Sequence, residues 1–200
     1  MKKCNTLKEF IRNSILCISS GYTTYRIATI PQKKRYKKPQ ILKNIEKTYQ
    51  TNLTRSQRYY AKKKGFANFK AVQYKELVLI CYTNGEIKQE IDLGKGWADF
   101  NKKSRLRLNI SDYISIDVFR DERKKLTAKM SKELLTDTKA EIKEAFKTRN
   151  GFRFHNILKK WHSLPTYRGF QLQKKDLVFF INGLKKDNKQ IKWTVPFTYL

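Results

Sequence analysis

The spacing of apolar residues changes character along this 200-residue chain. Near the start, Leu7, Phe10, Ile11, Ile15 and Ile18 recur at helical spacing and predict an amphipathic first helix. Residues 31–39, PQKKRYKKP, are bracketed by Pro31 and Pro39, which disfavours helix and predicts an extended loop or arm. A helical stretch follows over 41–50, with Ile41, Leu42 and Ile45 on one face. Thr54 and Gln57 have capping-box spacing, so another helix is expected to start there. Gly65 suits the left-handed residue that ends it, and Asn68 can cap a second short helix through Phe69, Ala71, Val72 and Tyr74.

From Glu76 the period shortens. ELVLICY (76–82) is an apolar run fit for a buried strand. Thr83-Asn84-Gly85 and the alternating EIKQEIDL (86–93) then predict a hairpin, because Asn-Gly between such runs favours a tight turn. RLRLNI (105–110) and YISIDVF (113–119) alternate, with a turn between Asn109 and Asp112. They predict a second hairpin with Leu106, Leu108, Ile110, Ile114, Ile116 and Val118 facing inward. Helix is expected again over 121–162. The amphipathic stretch 120–135 is followed by a capping box at Thr138 and Glu141, and by a helix over 152–162 that ends before Pro165. DLVFFIN (176–182) and KQIKWTVPF (189–197) read as a third hairpin. The first and third hairpins share a Lys-x-Leu-Val core and an Asn-Gly, which suggests an internal duplication.

These elements predict an α+β protein. A basic helical region, 1–75, precedes a core domain, 76–200, of three antiparallel hairpins packed with two or three helices. With 12 Phe, 11 Tyr and 3 Trp the chain can bury a real core, so wholesale disorder is not expected.

Charge changes the picture most. The first 75 residues hold 14 Lys and 5 Arg against only Glu9 and Glu46, a net of +17 out of +28 for the whole chain. Polyphosphate is the commonest partner for a surface this positive, because each neutralised phosphate releases condensed counterions. Nucleic acid is therefore the expected partner, DNA favoured over RNA. Lys33, Lys34, Arg35, Lys37 and Lys38 of the 31–39 arm are expected to track phosphates.

The cysteines, Cys4, Cys17 and Cys81, are odd in number and show no zinc-pair spacing, and only His155 and His162 supply imidazole. No metal site or disulfide framework is expected, and a reducing compartment fits best. No stretch is apolar and long enough to span a bilayer. The N-terminus opens like a signal peptide, but Arg12 and Asn13 interrupt its apolar run. A cytoplasmic or nucleoid-associated protein is expected; the acid-poor start also suits an organellar presequence.

The segment 54–76 resembles a helix-turn-helix. In that family a small residue sits four positions before a turn glycine, and apolar residues lock the two helices together. Ala61 and Gly65 take those places, with Tyr60, Phe66, Ala71 and Tyr74 as the packing set, while Lys64 stands where an apolar residue is usual. The resemblance implies a second helix in the major groove of duplex DNA. Asn68, Lys70 and Gln73 would then meet bases or phosphates, and Arg55, Arg58, Lys62, Lys63 and Lys64 would hold the backbone. A structural RNA-binding role in a ribonucleoprotein is the alternative. Such a DNA-binding protein would suit a plasmid, phage or other mobile element.

Two weaker patterns point to nuclease chemistry. Glu86-Ile87-Lys88, with Glu76 as partner carboxylate, resembles the Glu-x-Lys of restriction-type nucleases, where carboxylates hold a divalent metal and Lys assists the attacking water. The Pro-Asp that usually precedes it is absent. Arg149 and His155 match the Arg-x(4–6)-His of HEPN ribonucleases, which cleave RNA without metal, although those domains are all-helical. No cofactor is expected, with Mg2+ implied only by the first pattern. Rolling-circle initiators are set aside, because the His pair that they require is missing.

Overall fold

A computed structural model describes residues 1–196 and divides into two compact units, Met1–Leu106 and Arg107–Leu200. The chain is α+β, as its patterning predicts. The boundary expected at 75/76 falls inside a tight hairpin of the first unit.

The first unit runs β1 (Lys2–Cys4), α1 (Leu7–Ser19), β2 (Thr24–Thr29), a 3-10 helix (Gln32–Lys37), α2 (Lys38–Thr48), α3 (Arg55–Lys63), β3 (Phe69–Tyr74), β4 (Leu77–Tyr82), β5 (Ala98–Asp99) and α4 (Phe100–Lys103). Its sheet has the order β1-β3-β4-β2-β5, with β1 parallel to β3 and the other pairs antiparallel. Side-chain alternation sends β3 and β4 to two different layers. On one face lies α1, begun by a capping box between Thr6 and Glu9; its Phe10 stacks on Tyr74 with ring centroids 5.7 Å apart. On the other face Phe69, Ala71, Val78 and Ile80 pack with Ile30, Leu42, Tyr49 and Ile91. Burial on both faces explains why 77–82 reads as a continuous apolar run.

The second unit carries a three-stranded sheet in the order β6-β7-β8, formed by β6 (Arg105–Ser111, which starts at the unit boundary), β7 (Ile114–Arg120) and β8 (Leu126–Met130). Helices α5 (Lys132–Lys147), α6 (Gly151–His162) and α7 (Arg168–Asp187) follow. Leu108, Ile116, Val118 and Ala128 are fully buried, as are Ile142, Phe154, Leu158, Phe170 and Leu177 of the helices. The predicted β6–β7 strands and the helix over 152–162 are present; Ile110 and Ile114 are only half-buried.

Several expectations are corrected. The 31–39 run is not extended: it forms the 3-10 helix and the first residues of α2, where Pro39 sits at the helix start and its missing N–H costs nothing. ELVLICY pairs with β3, not with 86–93, and the latter forms no strand. The helix expected from 120 starts only after Ser131, its N-cap, because Leu126–Met130 is β8. Thr138 is no cap; it lies within α5, and its hydroxyl donates to the Leu134 carbonyl at 2.8 Å. The third hairpin is absent from the described residues: 176–182 belongs to α7, 189–196 is irregular, and Phe197 lies outside them. The supposed duplicates are thus a strand and a helix, and the likeness between them is compositional.

Candidate nucleic-acid interface

Helix α3 carries the densest basic segment. The Thr54 hydroxyl accepts from the Gln57 N–H at 3.2 Å, and the Gln57 side chain accepts from the Thr54 N–H at 2.8 Å, so the predicted capping box exists. Gly65 has φ +81° and ends the helix. Its N–H donates to the Lys62 carbonyl at 3.0 Å, and the Phe66 N–H donates to the Ala61 carbonyl at 2.9 Å. This is the six-to-one and five-to-two bonding of a Schellman cap. The Ala61–Gly65 spacing therefore arises from helix termination. The recognition helix that it implied is strand β3, so the segment is helix–turn–strand.

That correction removes the base-reading residues. Asn68 is buried, its Nδ2 donating to the Arg58 carbonyl at 3.0 Å. Gln73 is buried too, and its Nε2 donates to the Lys75 carbonyl at 2.6 Å. Lys70 is half-buried with Nζ 4.3 Å above the Tyr22 ring.

The backbone-holding residues fare differently. Arg55, Lys62, Lys63 and Lys64 are exposed, and among the described residues none of them forms an ion pair. Lys62 and Lys63 also complement the carbonyl end of the helix dipole, which accounts for part of their placement. Tyr59 and Tyr60 stand beside them, 64% and 61% exposed, in edge contact with each other at 5.6 Å. Arg58 is half-buried and donates through Nη2 to the Thr51 carbonyl at 3.1 Å.

The 3-10 helix offers a second basic surface. Lys33, Lys34, Arg35 and Lys37 are exposed, and Tyr36 is 76% exposed with Lys37 Nζ 5.4 Å from its ring. Arg35 pairs with Glu76 at 2.9 Å and Lys38 lies 4.0 Å from the same carboxylate. The sequence does not single out the exposed tyrosines, because tyrosine at helical spacing looks the same whether it faces the core or solvent.

The nuclease constellations do not assemble. Glu76 sits in the β3–β4 turn, whereas Glu86 follows the far end of β4 and bridges Phe66. A six-residue strand separates them by roughly 20 Å at ~3.3 Å per residue, too far to share an ion. Glu76 is also occupied by Arg35, and Lys88 Nζ donates to the Gln50 side chain at 3.2 Å. Among the described residues no three His, Cys, Asp or Glu side chains converge on a metal-sized site. Arg149 and His155 take separate partners. His155 Nδ1 lies 2.7 Å from the Gly151 carbonyl of its own helix, and Arg149 reaches the Gln190 side chain at 3.4 Å from a backbone with φ +50°.

Comparison with protein-family models, with curated proteins and with solved structures returns no match to this chain.

Proposed function

We propose that this protein binds nucleic acid through the first unit, and that single-stranded segments are its preferred form. The observation that carries this is the grouping of exposed Tyr59 and Tyr60 with exposed Arg55, Lys62 and Lys63 on α3 and Lys64 at its C-cap. Cations track a phosphate backbone, and aromatic faces stack on unpaired bases, each contributing on the order of 1–3 kcal/mol. Tyr36 with Lys33, Lys34 and Lys37 repeats the combination on the 3-10 helix. Met1–Leu106 holds 24 Lys and Arg against 7 Asp and Glu, a net of +17 that favours capture of a polyanion. Groove readout of duplex DNA has less support, since Asn68 and Gln73 are buried in or beside β3 and no helix presents them.

The test is fluorescence anisotropy with single-stranded DNA, single-stranded RNA and duplex DNA of equal length at two salt concentrations, with the labelled strands checked for cleavage. Tighter binding of the single strands, weakened by Tyr59→Ala and Tyr60→Ala, is expected. A duplex preference that survives higher salt would overturn the proposal.

A further inference from the structure

Beside α3 lies a cleft of about 530 Å³, within the size range of small-molecule sites. Lys2, Arg58 and Lys70 line it together with Asn13, Thr51 and Val72, and no acidic side chain does. Thr51 is 3% exposed, yet its hydroxyl has no hydrogen-bond partner. Arg58 is anchored through Nη2 to the Thr51 carbonyl, while its buried Nε has no acceptor. Asn68, which bonds the Arg58 carbonyl, likewise has a buried Oδ1 without a partner, so three unpaired polar atoms cluster behind this wall of the cleft, where buried polar groups are nearly always paired.

We infer that this cleft binds the phosphate monoester of a nucleotide, with Arg58, Lys70 and Lys2 meeting the phosphate and Leu16, Ala71 and Val72 walling its organic body. A monoester brings three strong acceptor oxygens and close to two negative charges near neutral pH. Asn68 supports the arrangement from behind, donating to the Arg58 carbonyl and fixing the turn of α3 that carries the guanidinium. The monoester can belong to a free nucleoside monophosphate or to the 5′ end of a strand.

The experiment is calorimetric titration of the full chain with AMP, UMP and adenosine. It is joined by anisotropy with one oligonucleotide carrying either a 5′-phosphate or a 5′-hydroxyl. AMP and UMP should bind and adenosine should not. Lys70→Gln and Arg58→Gln should each weaken AMP by about tenfold or more, the loss of one charge-assisted contact. Should Arg58→Gln unfold, Lys70→Gln and Lys2→Gln still decide, because neither side chain donates a hydrogen bond among the described residues. Changing Lys62, Lys63 and Lys64 together to Gln should weaken the oligonucleotide and leave AMP unchanged, which separates this cleft from the strand-binding surface. A 5′-phosphate gain that Lys70→Gln abolishes identifies the strand end as the source; AMP binding with no such gain identifies the free nucleotide. Failure of AMP and UMP to bind, or AMP binding indifferent to Lys70→Gln, overturns the inference.

Discussion

The side-chain amide of Gln173 closes both main-chain groups of Met130: Oε1 accepts from the Met130 N–H at 2.8 Å and Nε2 donates to the Met130 carbonyl at 2.9 Å. Gln173 lies on α7 and Met130 ends β8, an edge strand of the second sheet. A buried sheet edge needs such closure, since unpaired backbone groups away from water are costly. Gln173→Leu keeps the bulk and removes both bonds, leaving a donor and an acceptor orphaned. It should lower stability by roughly 2–6 kcal/mol, at about 1–3 kcal/mol per orphaned group. Urea denaturation followed by circular dichroism checks this; a midpoint equal to the parent's would show that the edge is satisfied in another way.

The same contact explains why α7 is not legible in the sequence. Residues 176–182 are apolar enough for a strand, but they continue α7, the 20-residue helix that carries Gln173 to β8 and buries Phe170, Leu177 and Ile181. That packing is tertiary and invisible in a seven-residue window. β3 is hidden for a related reason. Its hairpin with β4 turns through Lys75 and Glu76, with Lys75 at φ +49° and no glycine or asparagine to announce it. Gln73 and Ile30 supply the compensation, donating to the Lys75 carbonyl at 2.6 Å and the Glu76 carbonyl at 2.9 Å. Charge, the α3 cap and the 105–119 strands are legible because they depend on local chemistry. The cleft is not, since Lys2, Thr51 and Lys70 come together only in the folded sheet.

Packing of α7 on β8 leaves no room at Gly169. A Cβ there would stand 2.4 Å from the Ala128 carbonyl oxygen, and the Gly169 N–H donates to the Thr127 hydroxyl at 2.9 Å. Gly169→Ala must push the helix off the strand against backbone atoms that cannot give. A loss of about 1–3 kcal/mol is expected, the usual scale of overpacking. A thermal melt unchanged from the parent's would contradict so close an approach.

Arg168 begins α7 and pairs with both Asp121, at 3.1 Å, and Glu122. Burial pushes the Asp121 carboxyl up, but the Lys125 and Arg123 backbone N–H groups and the Arg168 guanidinium outweigh it and hold the pKa below its ordinary value. Glu122 is lowered by its own backbone N–H and by Arg168, against burial. Carboxylates depressed by folding stabilise above their unfolded pKa, near ~4, and lose that contribution as pH falls through the folded value. The stability difference between the parent and Arg168→Ala should therefore be full at pH 7 and shrink toward pH 3. A difference independent of pH would mean that the variant acts through packing alone.

Salt dependence tests the basic surface of α3 without any base contact. Each phosphate neutralised contributes a slope of roughly 0.7–0.9 in log K against log salt. Converting Lys62, Lys63 and Lys64 to Gln should therefore lower the slope for single strands by about 2–3, if all three engage phosphate. Tyr59→Ala should instead weaken binding by on the order of 1–3 kcal/mol at every salt concentration, because stacking releases no counterions. A Tyr59→Ala effect that vanishes at high salt would show that this ring merely positions its charged neighbours.

Gly65 and Gly85 separate two reasons for glycine. Gly65 has φ +81°, and a Cβ placed there would meet nothing within 4 Å, so Gly65→Ala costs only backbone strain, about 1 kcal/mol. Gly85 has φ +145°, and a Cβ there would meet the Ala67 nitrogen at 2.6 Å and the Gly65 carbonyl oxygen at 2.8 Å. Those atoms belong to the strand-like contact in which the Glu86 N–H donates to the Gly65 carbonyl and the Ala67 N–H donates to the Glu86 carbonyl, both at 2.9 Å. Asn84-Gly85 thus marks a close backbone approach, where the sequence pattern suggests a hairpin turn. Gly85→Ala should add a steric cost to strain and break both bonds, destabilising by several-fold more than Gly65→Ala. Equal losses for the two variants in parallel urea melts would show that the 65–67 and 85–86 backbones do not pack this closely.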